Sequence, residues 1–393
     1  MPNRQDELDR PPHISGRLGT DGFRPDIQAL RALAVGLVVL NHLWPTRLAG
    51  GYVGVDVFFV ISGYLISAHL IREIDGTGRI RIVQFYARRV RRLLPAAFLV
   101  LVSVVVAAFF LVPHARWAAY AHEVMASALY WENWLLTAEF SSHPVDFTKF
   151  TAVTSYWSLS VEEQFYLCWP LFLLLLFRLR TPRARFAGIA AVGLASLAFC
   201  VYLTAVAQGP GYFVTPIRVW EFAIGTVVAL GGARFELPKV AAQAASLLGF
   251  AAILGSAVLF TGTTEFPGAI ALIPTVGAGL VIAAGARPGR QWHTALTSSA
   301  PVQLLGDISY SLYLWHWPLV VLVPFAVPGG VLTFSTRVGI VAVSLVLAYL
   351  SKRLVEDRIR TWPRLVGSVR LTFAGMAAGM AAVCLVAGGL LWG

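Results

Sequence analysis

Arg31 and His42 stand eleven residues apart in one strongly apolar stretch that runs from Phe23 to His42. Ionisable groups are costly in hydrocarbon, so a chain that keeps two of them there has chemistry or transport to perform. At about 100° per residue they return to nearly the same helical face, roughly 16 Å apart along the axis. One stripe then carries a fixed cation near one end and a titratable imidazole near the other, a candidate general base or nucleophile. The bland alternative is a snorkelling arginine at one interface and a hydrogen-bonded histidine at the other.

Further groups have chemistry open to them. Asp56, in Gly54-Val-Asp56-Val-Phe-Phe-Val-Ile-Ser62-Gly63-Tyr64, comes near His42 across a short loop, where a carboxylate fixes an imidazole tautomer and raises its basicity. Ser62 and Gly63 read better as small residues that let helices approach closely. Glu162 and Tyr166 are four apart on one helical face of Trp157-Ser-Leu-Ser-Val-Glu162-Glu163-Gln-Phe-Tyr166, with Glu163 pointing elsewhere. In Phe85-Tyr-Ala-Arg88-Arg89-Val-Arg91-Arg92-Leu-Leu-Pro95, Arg88 and Arg92 share a face with Arg89 beside them, and forked guanidinium donors match phosphate oxygens bidentately. The commoner role of such a cluster is an anchor on lipid headgroups. Arg218 and Glu221, three apart, read mainly as a self-neutralising pair. Tyr310 and His316, in Ile308-Ser-Tyr-Ser-Leu-Tyr-Leu-Trp-His316-Trp-Pro, put an imidazole among aromatic rings in mid-membrane; substrate contact and a structural hydrogen bond are both open to it.

The elements that position these residues follow from composition. Of 393 residues 57% are hydrophobic and only 13% charged, which is the balance of a polytopic integral membrane protein, all-α in class. A formal charge of +11 could suggest nucleic acid, but the basic residues gather in short links between apolar runs, as the positive-inside bias requires, so no nucleic-acid partner is expected. Cys168, Cys200 and Cys384 have neither paired nor metal-like spacing, and no metal site is expected. No glycine-rich phosphate loop, zinc-binding histidine pair or Gly-x-Ser-x-Gly elbow is present.

Stretches long enough to span fall near 27–44, 51–71, 93–112, 161–178, 186–207, 213–231, 240–261, 268–286, 303–326, 329–351 and 371–392. The arginine-rich links 72–92 and 178–185 belong in the cytoplasm. Only an even number of crossings fits between them, so the less apolar segment 117–137, with His122, Glu123, Glu132 and Asn133, is expected as an outer interfacial or re-entrant helix. Continued alternation puts Arg234 and Lys239, Arg287 and Arg290, and Lys352 to Arg370 inside. The expected topology is eleven spans with the N-terminus in and the C-terminus out, and residues 1–22 as a flexible cytoplasmic tail rather than a removed signal. A last crossing that stops at Gly393 reads as a chain cut before an outer domain, or as a vestigial last helix.

Five motifs in order resemble the acyltransferase-3 family of bacterial membrane O-acyltransferases over roughly residues 23–360. They are Arg31-x10-His42, the Gly54 to Tyr64 run, Phe-Tyr-x-Arg88-Arg89-x-x-Arg92 with Pro95, Trp-Ser-Leu-Ser-Val-Glu162-Glu-Gln-Phe-Tyr, and the Ile308 run ending Leu-Trp-His-Trp-Pro; Arg353-Leu-Val-Glu356 adds a family-like ending to the tenth span. Gln28-Ala29 departs from the Asp-Gly often found there, so a carboxylate near Arg31 has to come from elsewhere, with Asp26 as one candidate. The resemblance implies a ten-helix acyltransferase core, 23–360, followed by a linker and one extra span in 361–393. It is similar to the subfamily fused to a periplasmic SGNH hydrolase-like domain, which makes such a domain, or a separate periplasmic acyltransferase, an expected partner. The implied reaction carries an acyl group, typically acetyl, from cytoplasmic acetyl-CoA across the bacterial inner membrane to a hydroxyl of an extracytoplasmic glycan or glycolipid. On that reading Arg31, Arg88, Arg89 and Arg92 hold the coenzyme, His42 is the catalytic centre with Glu162 as partner and Asp56 as second orienter, and Trp157, Tyr166, Arg218, Glu221, Tyr310 and His316 are substrate-binding candidates. The rival readings are a carrier or channel for a small polar solute and an acyl relay to an outer domain.

Overall fold

The computed structural model describes residues 24–392 apart from 143–149, 180, 233–236 and 287–288. The expected tail 1–22 and the topological markers Arg180, Arg234 and Arg287 lie outside the described residues. Among those described there is no strand, and the chain is an all-α polytopic membrane protein. Its longer helices are α1 (Pro25–Leu43), α2 (Gly54–Thr77), α3 (Ile82–Leu111), α4 (Trp117–Ala128), α5 (Glu132–Ser142), α6 (Tyr156–Phe177) and α7 (Pro182–Val206). They continue with α8 (Val219–Gly231), α9 (Lys239–Leu259), α10 (Leu272–Gly285), α11 (Ala300–Asp307), α12 (Ser309–Ala326), α13 (Phe334–Ser351) and α14 (Val369–Gly389).

Local chemistry sets several ends. Pro25 and Pro182 stand in first turns, where no amide hydrogen is missed. The hydroxyls of Thr181, Thr333 and Ser368 cap α7, α13 and α14 by accepting from Ala184, Thr336 and Leu371 amides. Gly78, at φ 71°, closes α2 in the left-handed conformation a side chain would resist.

All eleven expected stretches are helical. Among the described residues, eight helices are long and apolar enough to cross a membrane; α11 and α12, bent by 70° at Ile308, make a ninth if taken as one span. The stretches at 213–231 and 268–286 hold shorter apolar helices, Val219–Gly231 and Ala269–Gly285. Segment 117–137 is not one helix: α4 and α5 meet at Tyr130, whose φ of 56° breaks the path. Strongly apolar side chains on the outside, such as Phe110 at 75% and Leu385 at 77% exposure, face where lipid replaces water.

Helix α2 is central, packed on α1, α8 and α10. A Cβ on Gly63 would collide with the Phe222 carbonyl, and one on Gly225 with the Val60 carbonyl, so α2 and α8 cross backbone to backbone. Helix α14 lies across α3 and α4, and α12 packs on α1, α3 and α13. After α13 the backbone runs as a π-helix over Lys352–Glu356, which turns Lys352 and Glu356 inward, 7% and 5% exposed.

Candidate active site

A cavity opens among α1, α2, α3, α6 and α12. Val55, Phe58, Phe59, Ile61 and Leu65 of α2 give it an apolar wall. Its polar groups are Arg31 from α1, Ser62 from α2, Arg89 and Arg92 from α3, Glu162 and Tyr166 from α6, and Tyr310 and Tyr313 from α12. A smaller cavity of ≈340 Å³ shares Arg31, Arg92 and Tyr310 and adds Asp307, Lys352, Glu356, Asp357 and Arg360. The bend at Ile308 and the π-turn are what bring Asp307 and Glu356 to it.

Arg31, Arg89 and Arg92 have no ion pair among the described residues. Arg31 donates to Gln28 Oε1 at 3.0 Å, and Arg89 lies 4.3 Å from the centre of the Tyr166 ring. The structure does not bring Arg88 to them: its guanidinium lies 2.9 Å from His69 Nε2 and 3.9 Å from Glu73, half-exposed. Asp26 does not supply the carboxylate for Arg31 either, because Arg24 binds it at 2.8 and 2.5 Å. Gln28 takes that place as a neutral acceptor, and the carboxylates of Asp307, Glu356 and Glu162 act on Arg31 only at longer range.

Glu162 accepts from the hydroxyls of Ser62 and Tyr166. Ser62 is therefore a polar contact as well as a small residue, whereas Gly63 serves close approach as its type suggests. No hydrogen bond joins Glu162 or Asp56 to His42. Asp56 is 2.9 Å from Arg218 Nη1, which also donates to Glu221 at 3.0 Å, and the three side chains are at most 1% exposed. The Arg218–Glu221 pair expected from spacing thus exists but is a triad, tying α8 to α2. The Trp157 ring flanks it, 5.6 Å from the Arg218 guanidinium and 5.0 Å from Tyr212.

His42 meets His316 instead. Nδ1 of His42 lies 3.0 Å from Nε2 of His316, the rings are stacked 5.2 Å apart, and the Trp317 ring lies 4.6 Å from His42. Nδ1 of His316 is 3.1 Å from the Leu312 carbonyl oxygen. Neither histidine lines the cavity. Tyr313 stands between: it is a wall of the cavity, its ring is 5.4 Å from His316, and its hydroxyl bonds Ser158 Oγ at 2.7 Å and the Ser155 carbonyl at 3.1 Å. Tyr310, which donates to the Leu93 carbonyl at 2.9 Å, sits one turn nearer the arginines. Tyr313, Ser158 and Asp307 are not among the sequence candidates, and Glu356 stands there only as part of a motif; Tyr313, midway between Tyr310 and His316 at three-residue steps, carries a readable signal. Among the described residues no group of three or more His, Cys, Asp or Glu is arranged to hold a metal ion.

Residues 24–353 match the family model described as an acyltransferase domain. The chain is 33% identical over 355 residues to the Bacillus subtilis protein named "Putative peptidoglycan O-acetyltransferase YrhL", covering 86% of this chain and 55% of that one. It is 30% identical over 350 residues to the peptidoglycan O-acetyltransferase OatA of Listeria monocytogenes, covering 86% of this chain and 56% of that one. The chain thus spans little more than half the length of these relatives. No solved structure matches it.

Proposed function

The chain belongs to the acyltransferase domain family, and from that premise we propose that it moves an acyl group, acetyl first, from cytoplasmic acyl-coenzyme A to an extracytoplasmic glycan hydroxyl. Peptidoglycan is the acceptor in the names of two relatives, and it is the acceptor to try first. We place the chain in the bacterial cytoplasmic membrane with α1 starting inside and α14 ending outside.

The observation that carries this reading is the cavity between the arginines and Tyr313. Three guanidinium groups, none of them in a direct ion pair among the described residues, make a seat for phosphates, and an apolar wall suits the pantetheine arm. The donor lies with its phosphates on Arg31, Arg89 and Arg92 and its thioester towards Tyr313. Glu162, fixed by Ser62 and Tyr166, borders the path and orients what passes. Asp56 acts from a distance, by keeping α2 and α8 in register through Arg218. Once Tyr313 yields, the thioester reaches His42. The acceptor hydroxyl gives its proton to the His42 ring nitrogen, its oxygen attacks the thioester carbon, the carbon–sulfur bond breaks, and the thiolate takes the proton from His42. An O-acyl ester and coenzyme A thiol result.

Proteoliposomes with radiolabelled acetyl-coenzyme A on the inner side test this. Thioester loss that disappears in His42→Ala, with label recovered on added peptidoglycan fragments, is the expected result. Label trapped on the protein would point to a relay, and flux of an intact solute without thioester loss would sink the proposal.

A further inference from the structure

His316 is fully buried on α12, and each of its ring nitrogens has one partner. Nδ1 lies 3.1 Å from the carbonyl oxygen of Leu312, one turn earlier, and Nε2 lies 3.0 Å from Nδ1 of His42. A carbonyl oxygen only accepts, so Nδ1 of His316 carries the hydrogen, and in a neutral ring Nε2 is then a lone pair. Two lone pairs facing each other at 3.0 Å would repel, so Nδ1 of His42 carries a hydrogen and donates it. What remains on His42 is an unprotonated Nε2. Charging both rings is opposed by their stacking, 5.2 Å apart with planes within 5°, and by the absence of any carboxylate bonded to either among the described residues.

We infer that His316 is the positioning residue of His42, holding it in the tautomer that leaves Nε2 free for the acyl path. The inference rests on the reading of His42 as the reacting base. A carboxylate does this task in many imidazole sites and also stabilises the imidazolium. A neutral imidazole acceptor fixes the tautomer while stabilising the charged ring less, so the proton taken from the acceptor hydroxyl passes on readily to the departing thiolate. Substrate contact is not the role of His316: both of its nitrogens are engaged inside the protein.

The chain has eight histidines, few enough for ¹⁵N-histidine resonances to be resolved in the full-length protein in lipid nanodiscs, with His42 assigned by the signal lost in His42→Gln. The expected spectrum shows His42 with hydrogen on Nδ1 and a bare Nε2. His316→Leu removes the acceptor and should shift His42 towards the Nε2-protonated form. Its turnover of acetyl-coenzyme A should fall about 10- to 100-fold at unchanged KM for the donor. His316→Gln places an amide oxygen where Nε2 lay and should keep the tautomer and most of the turnover, a rescue that a merely space-filling role does not provide. An Nε2-protonated His42 in the parent protein, or a His42 tautomer indifferent to His316→Leu in folded protein, would overturn the inference. Full thioester consumption by His42→Gln would instead remove the reading of His42 as the reacting base and leave the tautomer assignment standing.

Discussion

At the scale of single residues, the arginines decide most. A part-buried guanidinium without a direct ion pair is costly unless an anion visits it, and Arg31, Arg89 and Arg92 are in that position. A hydrogen bond to a charged group contributes about 1.5–3 kcal/mol, so Arg92→Ala should raise the KM for acetyl-coenzyme A by about tenfold or more. The salt dependence of that KM should weaken in the same variant, since one phosphate contact is gone. Arg88→Ala should stay within about twofold, because its side chain is engaged by His69 and Glu73 and screened by solvent. Steady-state kinetics across a salt series checks both. Helical spacing alone grouped Arg88 with Arg92; it could not show which neighbouring helix claims each side chain. The same blindness applies to Asp56, whose partner Arg218 is 162 positions away in the chain. By contrast Arg31, Glu162, Tyr166 and Tyr310 were picked out as polar groups on apolar helices, and all four line the cavity, because burying such groups without a use is too costly to persist.

At the scale of elements, the closeness of α2 and α8 carries the site. Replacing Gly63 by Val places carbon where the Phe222 carbonyl lies and should destabilise by about 1–3 kcal/mol or more, read as a lowered melting temperature in detergent. Arg218→Ala leaves Asp56 and Glu221 buried without their cation and should cost about 3–5 kcal/mol by the same measurement. The outer pair α4 and α5 holds Glu123, which accepts from Thr151 at 2.7 Å and Thr154 at 2.8 Å, and Glu132, whose oxygens have no partner. Burial pushes the Glu123 carboxyl up to about 7 and Glu132 further. The folded state then holds more protons than the unfolded one between the ordinary value of 4.5 and about 7, so this pair stabilises below that window and its contribution is lost as pH rises through it. Melting temperature should therefore fall from pH 5 to pH 8, and Glu132→Gln should flatten the fall. The spans themselves were readable, since twenty apolar residues admit few other fates. The bend at Ile308, the break at Tyr130 and the π-turn at Lys352–Glu356 were not, because each is a response to packing from segments distant in sequence.

For the whole molecule, the charge asymmetry supplies the direction we propose. Arg81 and Thr263 are both exposed and lie at opposite ends of the expected topology. A cysteine in place of Arg81 should react with a membrane-impermeant maleimide only in inside-out vesicles, and one in place of Thr263 only in right-side-out ones. The Gly50 amide after α1 donates to the Ala257 carbonyl near the end of α9, so these two segments share one side, whichever side that is.

On the proposed reading, a protein that opens inward to a charged coenzyme and outward to a sugar risks becoming a leak for the proton gradient the cell lives on. The Tyr313 ring, tethered by Ser158 and the Ser155 carbonyl, seals the cavity short of the histidine pair. On that reading the bulky anionic head of the carrier would stay on its own side of the seal. Only a small uncharged fragment would have to cross, so the membrane would remain insulating while the cargo goes through.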